Sequence, residues 1–332
     1  MSEPACDVVC IGHAIVDVLA HATDDLVHAF GIQKGTTGFV DVELSEKLYA
    51  EMGPAIEVSG GSAANTAVGV ALLGARAAFV GTVRDDTLGR VFAHDIRAAG
   101  VAFAGVPAGD GLATGRCLVL VTPDAERTMA TYLGIGNDID AAEVDPALAG
   151  GTRLTYVEGY SVGIAESADA VRRAIDQTRA SGGRVALTLS DPFWVQIHGD
   201  DLRALIDEGV IDVLFANEDE ATTFTGREDF DDAIADLADR VPLVTVTRGA
   251  AGAVVAGDGS TVAVPAAPVA KVEDTTGAGD LYAAGFLFGL ARGADGETCA
   301  RLGALAAAEV ISHLGARPQA DLVALARAEG LL

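Results

Sequence analysis

The sequence predicts an α/β fold in which helices cover both faces of a mainly parallel sheet and a small second sheet is attached. Strand-like apolar runs alternate with segments of helical period along most of the chain, which is the pattern of βαβ units. Two stretches interrupt that alternation with half-polar, strand-like residues. The length of 332 residues allows one large core plus a small appendage. We therefore expect a single α/β domain over residues 1–332.

The strands of the main sheet are predicted where short apolar runs precede segments of helical period. An Ala-rich helix comes before the second of these strands. Runs that are apolar on both faces suit strands covered by helices on both sides. The predicted strands are 7–12, 77–83, 153–158, 184–189, 212–216 and 243–247, and the predicted later helices are 166–181, 200–208, 218–225 and 231–238.

Half-polar segments outside the alternation predict the small sheet. Residues 15–20 and 36–42 are one such pair. Residues 114–122 and 127–133 are a second pair, joined by a turn at residues 123–126. For the second pair, the pattern alone is equally compatible with an ordinary surface hairpin.

The composition indicates a folded and strongly acidic protein. Half of the residues are hydrophobic but only 5% are aromatic, so Ala, Val, Leu and Ile must build most of the core. Lys and Arg number 22 against 48 Asp and Glu, and the resulting net charge of −26 argues against a nucleic-acid-binding surface. A polyphosphate substrate would need backbone N–H groups and Mg²⁺ to supply a local positive field.

The sequence also indicates where the protein works. Its N-terminus lacks a basic region followed by an apolar segment, so we expect no signal peptide, and no apolar run approaches the ~18 residues of a membrane span. The cysteines fit neither a redox pair nor a zinc site, and we expect buried thiols in a reduced cytoplasm. They are Cys6, Cys10, Cys117 and Cys299. The sequence does not distinguish a monomer from a homodimer.

The strongest chemical signal is the segment 274–280, Asp-Thr-Thr-Gly-Ala-Gly-Asp, which opens an apolar helix. A Gly-rich turn at a helix start gathers unpaired N–H groups and the positive end of the helix dipole, which together bind phosphate. Gly277 and Gly279 let the backbone approach the anion because they lack a Cβ. Asp280 would stand beside the phosphoryl group, where it can accept a proton from an alcohol. Taken alone, the segment is also compatible with Asp280 as a helix cap.

Candidate residues for an alcohol acceptor lie in the N-terminal quarter of the chain. Gly61, Ser62 and Asn65 open an Ala-rich helix, and Asp17 follows the first strand. Asp17 and Asn65 can accept from and donate to neighbouring hydroxyls, while Gly61 lets a polyol lie against the backbone. Taken singly, each residue is also typical of a turn or a cap.

Two segments at the carboxyl ends of later strands are candidate sites for Mg²⁺ and ATP. Asn217 and Glu220 lie three residues apart on one helix face and offer oxygen ligands suited to Mg²⁺ held through water. An acidic first helical turn is the structural alternative. Thr247, Gly249 and Gly252 belong to a Gly-rich loop that can contact the nucleotide.

Together these segments resemble the ribokinase (PfkB) family of sugar and nucleoside kinases. Residues 274–280 are similar to the family's C-terminal signature and residues 60–65 to its N-terminal one, in the same order. The resemblance covers nearly the whole chain and implies a Rossmann-like three-layer α/β sandwich with a β-sheet lid, formed here by residues 15–42 and 114–133. It also implies ATP as the phosphate donor, Mg²⁺ as a cofactor and a primary hydroxyl as the acceptor.

The resemblance assigns roles to individual residues. It implies that Asp280 is the base and that Arg127, from the lid, reaches the transferred phosphoryl group. The amides of Gly277, Ala278 and Gly279 would form the anion hole, and Gly279 would also contact ATP. A further set resembles the family's monovalent-cation site and so implies K⁺: Asp274, Thr276 and the loop 313–315.

Three other segments indicate the acceptor. Residues 157–160, 189–193 and 127–134 resemble the adenosine kinase branch of the family more than ribokinase itself. Tyr160 and Phe193 are then candidates to stack on a purine, because a base offers a π-face that a free sugar lacks. Both are equally compatible with ordinary core aromatics. Adenosine is the first choice of acceptor, followed by ribose, fructose or another nucleoside.

Other enzyme classes fit the sequence less well. Residues 159–163 match Gly-x-Ser-x-Gly, the nucleophile elbow of α/β-hydrolases, with Ser161 as nucleophile and His198 or His313 as base. That interpretation leaves residues 274–280 without a role. No Gly-x-Gly-x-x-Gly follows the first strand, which argues against a nicotinamide enzyme, and no lysine follows a glycine, which excludes a P-loop.

Overall fold

A computed structural model of the protein describes residues 4–103, 105, 108–124, 126–257 and 259–332. These residues form two β-sheets and the helices that cover them, as the α/β prediction requires. In chain order the strands are β1 (Cys6–Ile11), β2 (Ile15–His21), β3 (Thr37–Phe39), β4 (Ala55–Gly60), β5 (Ala77–Val80), β6 (Ala102–Phe103), β7 (Gly115–Val121), β8 (Arg127–Tyr132), β9 (Thr152–Val157), β10 (Arg184–Thr188), β11 (Val213–Asn217), β12 (Leu243–Thr247), β13 (Ala253–Gly257) and β14 (Ser260–Val264).

Most helices begin just after an aspartate whose side chain accepts an N–H from the first turn, which accounts for part of the acidic composition. These N-caps are Asp41, Asp86, Asp140, Asp191, Asp229, Asp295 and Asp321. In the described part of the chain, no helix is long and apolar enough to cross a membrane. The helices are α1 (Asp24–Ala29), α2 (Val42–Glu51), α3 (Ser62–Leu72), α4 (Thr87–Ala98), α5 (Ala141–Leu148), α6 (Ala168–Ala180), α7 (Pro192–Asp207), α8 (Glu218–Thr225), α9 (Phe230–Arg240), α10 (Ala278–Ala291), α11 (Gly296–Val310) and α12 (Leu322–Ala328).

The main sheet has the strand order β14-β13-β12-β11-β10-β9-β1-β5-β6. The strands from β6 to β12 are parallel, whereas β13 and β14 are antiparallel additions at one edge. Since the parallel strands all run the same way, their carboxyl ends meet along one edge of the sheet. Loops at that edge are where open α/β sheets bind ligands.

Helices cover both faces of the main sheet and give the three predicted layers. One face packs on α3, α10, α11 and α12, and the other packs on α5 to α9, each over its own apolar cluster. Gly285 brings α10 close to α11, because a Cβ there would lie 2.4 Å from the carbonyl oxygen of Leu302. This close packing holds the start of α10 at the carboxyl edge of the sheet.

The small sheet has the order β3-β8-β7-β2-β4. Strands β7 and β8 form an antiparallel hairpin, and β2 pairs with β7 in parallel. The sequence patterns do not predict β4, because a strand followed at once by a helix of alanines shows little alternation. Ala125, in the predicted turn of the hairpin, lies outside the described residues.

Three predicted boundaries are wrong by three residues or more, and in two of these cases a helix cap decides. The strand predicted at 77–83 ends at Val80. The strand predicted at 36–42 ends at Phe39, because the side chain of Asp41 accepts the Leu44 N–H and starts α2. The helix predicted at 200–208 begins eight residues earlier, where Asp191 caps a first turn that opens with Pro192.

Candidate active site

The Gly-rich turn before α10 presents N–H groups to open space. Gly277, the N-cap, has φ 79°, in the left-handed region, and a Cβ there would lie 2.8 Å from the Cβ of Ala316. The Ala278 N–H is used within the turn, where it donates to the Thr275 carbonyl at 3.2 Å. Among the residues that the structure describes, the N–H groups of Gly277 and Gly279 have no acceptor, and a Cβ on Gly279 would meet no atom within 4 Å. The turn can therefore receive an anion at the positive end of α10.

Asp280 lies half-buried in the first turn of α10. Ser62 Oγ donates to its Oδ1 at 2.6 Å, and Asn65 Nδ2 donates to its Oδ2 at 2.9 Å. Burial raises the pKa of Asp280 to about 6; the charge of Glu158 adds to the rise, whereas the two hydrogen bonds and Arg317 oppose it. At neutral pH the carboxylate is mainly ionised and can accept a proton.

Asp17 extends from β2 into the neighbourhood of Asp280. Its carboxyl lies against the backbone of Gly60, where a Cβ would approach Asp17 Cγ to 2.4 Å. Burial raises the pKa of Asp17 to about 7; Arg317 opposes the rise, Asp280 adds to it, and Arg127 opposes it. Within the described residues no donor is recorded for this carboxylate. Asp17 is thus available to a ligand hydroxyl.

A buried polar network holds the loop before α3. Gly61, the N-cap of α3, has φ 95°, and a Cβ there would lie 2.3 Å from the carbonyl oxygen of His13. The Ala63 N–H donates to Glu158 Oε2 at 2.9 Å. Glu158, which follows β9, therefore caps the start of α3. His13 lies between Glu158 and Asn137, 2.9 Å from each, and is fully buried. The network positions the residues that contact Asp280.

A cavity of about 630 Å³ adjoins the Gly-rich turn. The loop after β12 lines it with Thr247, Gly249 and Gly252, and the start of α10 lines it with Ala278 and Gly279. Much of the remaining wall is apolar and comes from α11 and the segment before the turn. Four residues predicted to bind ATP thus share one cavity with the predicted phosphate-binding turn. Asn217 does not line this cavity.

Asn217 and Glu220 form a capping box at the start of α8. Asn217 Oδ1 accepts the Glu220 N–H at 2.8 Å, and Glu220 Oε2 accepts the Asn217 N–H at 3.0 Å. Burial raises the pKa of Glu220 to about 7, with further contributions from Asp191 and Asp219. The described residues contain no group of three His, Cys, Asp or Glu placed to bind a metal directly. Glu220, with the charges of Asp191 and Asp219 acting on it, fits Mg²⁺ held through water, since a cation would relieve this concentration of negative charge.

Arg127 connects the small sheet to the Gly-rich turn. Its Nη1 lies 2.6 Å from Asp274 Oδ2 and donates to Thr276 Oγ1 at 3.2 Å. Asp274 also accepts the N–H groups of Thr276 at 3.0 Å and Gly315 at 2.7 Å. Because Arg127 already neutralises this carboxylate, the residues do not fit a monovalent cation in the present arrangement. Arg127 Nη2 is buried without a partner.

Aromatic side chains meet between the small sheet and the core. Tyr160 packs on Trp194, with ring centroids 5.5 Å apart, and Phe39 of β3 lies 6.3 Å from Tyr160 and 6.2 Å from Trp194. Phe193 is 57% exposed and has no ring partner among the described residues. The structure thus groups Tyr160 with Phe39 and Trp194 and leaves Phe193 outside the cluster.

The strand register of the small sheet shows which residues share a face with Asp17. Asp17, Cys117, Thr131 and Phe39 lie in one row across β2, β7, β8 and β3. Every second residue along each of these strands points to the same face as this row. Most of these are apolar: Ile15, Leu19, Val119, Val121 and Met129. One face of the small sheet is therefore an apolar surface with Asp17 inside it and Phe39 at one end.

A hydrolase would need a histidine paired with Ser161. Ser161 Oγ is buried and has no hydrogen-bond partner within the described ranges of the chain. His198 pairs with Asp201 at 3.4 Å, and His313 pairs with Glu309 at 3.2 Å. The geometry gives the hydrolase interpretation no support.

Sequence reasoning missed Glu158 and Arg317 as parts of the site. Glu158 is the last residue of a predicted strand, which is a weak signal shared by many residues. Arg317 stands in a loop after α11, and only the scarcity of basic residues in this chain, 22 in all, could have drawn attention to it.

Comparison with known proteins shows the family of this chain and several relatives. The model of the pfkB family of carbohydrate kinases matches residues 47–321. The solved adenosine kinase from Sinorhizobium meliloti is 44% identical, with a TM-score of 0.91 over 98% of this chain and 99% of that one. A probable sugar kinase protein from Rhizobium etli CFN 42 is 38% identical, with a TM-score of 0.92 over 99% of this chain and 100% of that one. Fructokinase from Klebsiella pneumoniae is 32% identical over 246 residues, which are 72% of this chain and 79% of that protein.

Proposed function

The chain belongs to the pfkB family of carbohydrate kinases, and from this premise we propose that it transfers the γ-phosphoryl group of ATP to the primary hydroxyl of adenosine, giving AMP and ADP. Family membership makes it a phosphotransferase for sugars or nucleosides with ATP as co-substrate. The choice of adenosine rests on the surroundings of Asp17 and Asp280.

The position of Asp280 carries the proposal. On one side, the free N–H of Gly279 and the cavity of about 630 Å³ can receive the phosphates and base of ATP. On the other side, Asp280 interacts electrostatically with Asp17, whose carboxylate has no hydrogen-bond donor among the described residues. A carboxylate between these two spaces is adjacent to both the transferred phosphoryl group and the attacking hydroxyl.

The acceptor sugar is proposed to bind at the loop before α3. Asp17 accepts one hydroxyl, and Asn65 Oδ1, which is buried without a partner, accepts another. Gly61 lets the sugar lie against the backbone. Ser62 was expected to contact the sugar, but its hydroxyl donates to Asp280, so we assign it to orienting the base.

In the proposed reaction the primary hydroxyl attacks the γ-phosphorus in line while Asp280 takes its proton. The N–H groups of Gly277 and Gly279 stabilise charge on the transferred group, and Arg127 Nη2 is the nearby donor still without a partner. Ala278 contributes through the helix dipole, because its own N–H is used within the turn. Mg²⁺, held through water near Glu220, would neutralise phosphate charge when bound.

The surface around Asp17 supports an acceptor that carries a base. Its apolar residues and the aromatic group of Phe39, Tyr160 and Trp194 offer contacts that only a nucleoside can use. A free sugar has no aromatic face with which to contact Phe39, Tyr160 and Trp194. The likeness to an adenosine kinase over nearly the full length of both chains points the same way.

We propose that the small sheet acts as a lid, made of residues 15–42 and 114–133 with the addition of β4. Its contacts to the core through Phe39 and Arg127 support this role. K⁺ is not part of the proposal, because Arg127 neutralises Asp274. The proposed location is the cytoplasm, where ATP is available.

The test is a comparison of acceptors by ADP release. Adenosine and ribose form the decisive pair, because they share the ribose ring and the 5-position hydroxyl but differ in the base. We expect kcat/KM for adenosine to exceed that for ribose by at least ~10²-fold, as expected when a base buries apolar surface and stacks. Mass spectrometry should identify AMP as the product. Equal values for both acceptors would remove adenosine from the proposal.

Aromatic variants sharpen this test. Phe39→Ala should lower kcat/KM for adenosine about tenfold, by removing one stacking contact, and leave turnover of ribose unchanged. Phe193→Ala is the matched comparison on α7. If only F193A lowered kcat/KM for adenosine, Phe193 would be the residue that contacts the base, and the assignment to Phe39 would be wrong.

A sugar kinase is the second candidate, favoured by the 32% identity to fructokinase and by the likeness to a probable sugar kinase protein. Asp17, Gly61 and Asn65 suit the hydroxyls of a free sugar as well as those of a nucleoside. Fructose belongs in the acceptor panel for this reason. Higher kcat/KM for fructose than for adenosine would establish this alternative.

A further inference from the structure

Arg317 donates hydrogen bonds to both ends of the loop that carries the proposed acceptor residues. Its Nε donates to the Ser59 carbonyl at 3.1 Å, its Nη2 to Ser59 Oγ at 2.8 Å, and its Nη1 to the Ala64 carbonyl at 3.2 Å. These acceptors lie on either side of Gly61. One guanidinium therefore ties the end of β4 to the first turn of α3.

The same guanidinium also supplies positive charge to several carboxylates. It interacts electrostatically with Asp17, Asp280 and Asp95. Asp95 in turn accepts the Ser59 N–H at 2.8 Å and the Ser59 hydroxyl at 2.6 Å. Arg317 thus stands among three negative charges contributed by three different elements.

Other charged groups around the acceptor loop do not replace it. Glu158 faces Asp280 with a further negative charge. Arg127 faces Asp17 but is paired with Asp274 at 2.6 Å. Removal of the Arg317 charge would leave Asp17, Asp280 and Glu158 to repel one another in a partly dehydrated space.

We propose that Arg317 is a positioning residue for phosphotransfer, which fixes the acceptor loop against Asp280 and favours the ionised forms of Asp17 and Asp280. The catalytic part of this inference rests on the proposed function. Its electrostatic part concerns the folded protein and can be measured without activity.

The two roles predict different pH behaviour. If Arg317 only held the backbone, its loss would lower activity by the same factor at every pH. If its charge keeps the carboxylates ionised, its loss makes both harder to deprotonate, and activity falls at low pH and recovers at high pH. A lysine would keep the charge but lose the forked hydrogen bonds.

The experiment measures kcat/KM for adenosine between pH 5 and 9 in wild type, Arg317→Met, Arg317→Lys and the exposed-site control Arg301→Met. R317M should move the acid limb upward by about one pH unit, roughly a fiftyfold loss at pH 6 because both carboxylates must ionise, and should approach wild type at pH 9. In R317K the acid limb should lie within about 0.3 pH units of its wild-type position. An equal loss at all pH values in R317M, or the same shift in R317K as in R317M, overturns the proposal.

Unfolding by urea supplies the readout that is independent of activity. R317M should lose more stability at pH 8 than at pH 5.5, and adding Asp17→Asn to R317M should restore stability at pH 8 only, because it removes one of the repelling charges. Should R317M fail to fold at pH 8, recovery of folded protein at pH 5.5 supports the proposal. Failure at both pH values, with no rescue by D17N, overturns it. A wild-type chain that phosphorylates no acceptor would refute the proposed function and leave this stability test intact.

Discussion

Replacing Asp280 by Asn should inactivate the enzyme and stabilise its fold. The substitution keeps the size of the side chain and removes the charge. Ser62 Oγ can still donate to the new carboxamide oxygen. Asn65 Oδ1 has no partner, so rotation of the Asn65 amide would offer it to the new NH₂ group. The hydrogen bonds can therefore be preserved while the base is lost.

The size of the stability change follows from the pKa of Asp280, which burial raises from 3.8 to about 6. A raised carboxyl pKa means that the folded state favours the protonated form, so this group's contribution to stability is present below pH 3.8 and is lost as pH rises through 6. Removing the charge should raise the free energy of unfolding by up to roughly 3 kcal/mol at pH 8 and by roughly half as much at pH 5.

Two measurements check the prediction. Turnover with adenosine should fall by about 10²-fold or more, the size typical of losing a general base. Urea unfolding, followed through the buried Trp194, gives the free energy at both pH values. Asp295→Asn is the matched control: Asp295 is an exposed N-cap of α11, and Asn caps equally well, so its activity and stability should stay near wild type. A D280N protein with turnover within threefold of wild type, or with no stability gain at pH 8, would refute the reasoning.

Three further predictions follow from the same geometry. Gly279→Ala should stabilise α10 by up to ~1 kcal/mol, because a Cβ there meets no atom within 4 Å, yet it should lower kcat at least ~10-fold by blocking the approach of phosphate to the turn; melting temperature and turnover, measured on the same sample, must move in opposite directions. The pH profile of kcat/KM should fall below pH 7 with a slope approaching two, since Asp17, with a pKa near 7, and Asp280, with a pKa near 6, must both be ionised; a slope of one in wild type would mean that only one of them matters. Glu158→Gln should cost about 1 to 3 kcal/mol of stability, because its buried carboxylate accepts the Ala63 N–H and contacts His13, and chemical denaturation would expose the error if the variant were as stable as wild type.

The parts of the fold that depend only on residues close together in the sequence were predictable. The bounds of β12 and α8 agree with the prediction residue for residue. Both follow from short-range signals: an apolar run sets the strand, and an acidic first turn after Asn217 starts the helix. The start of α7 was missed although Asp191 and Pro192 are themselves a local signal, because the apolar residues after them do not keep a helical period.

The contacts of the site are less predictable, because they join distant segments. Asp280 is held by Ser62, 218 residues away, and by Asn65, 215 residues away. The edge-to-face contact between Phe39 and Tyr160 likewise depends on where the small sheet lies over the core. Sequence patterns named Asp280, Ser62, Asn65 and Tyr160 as candidates but could not say which of them touch.

By itself the sequence determined the local chemistry of this protein: which turns can bind phosphate, which residues start helices and which faces of strands are apolar. These features depend on a few consecutive residues, since caps, dipoles and alternation act over one or two turns of chain. Only the tertiary structure decided that Arg127 pairs with Asp274, that Glu158 caps α3 and that Arg317 lies among three carboxylates. Such pairings depend on packing between layers and on burial, which no short stretch of sequence encodes.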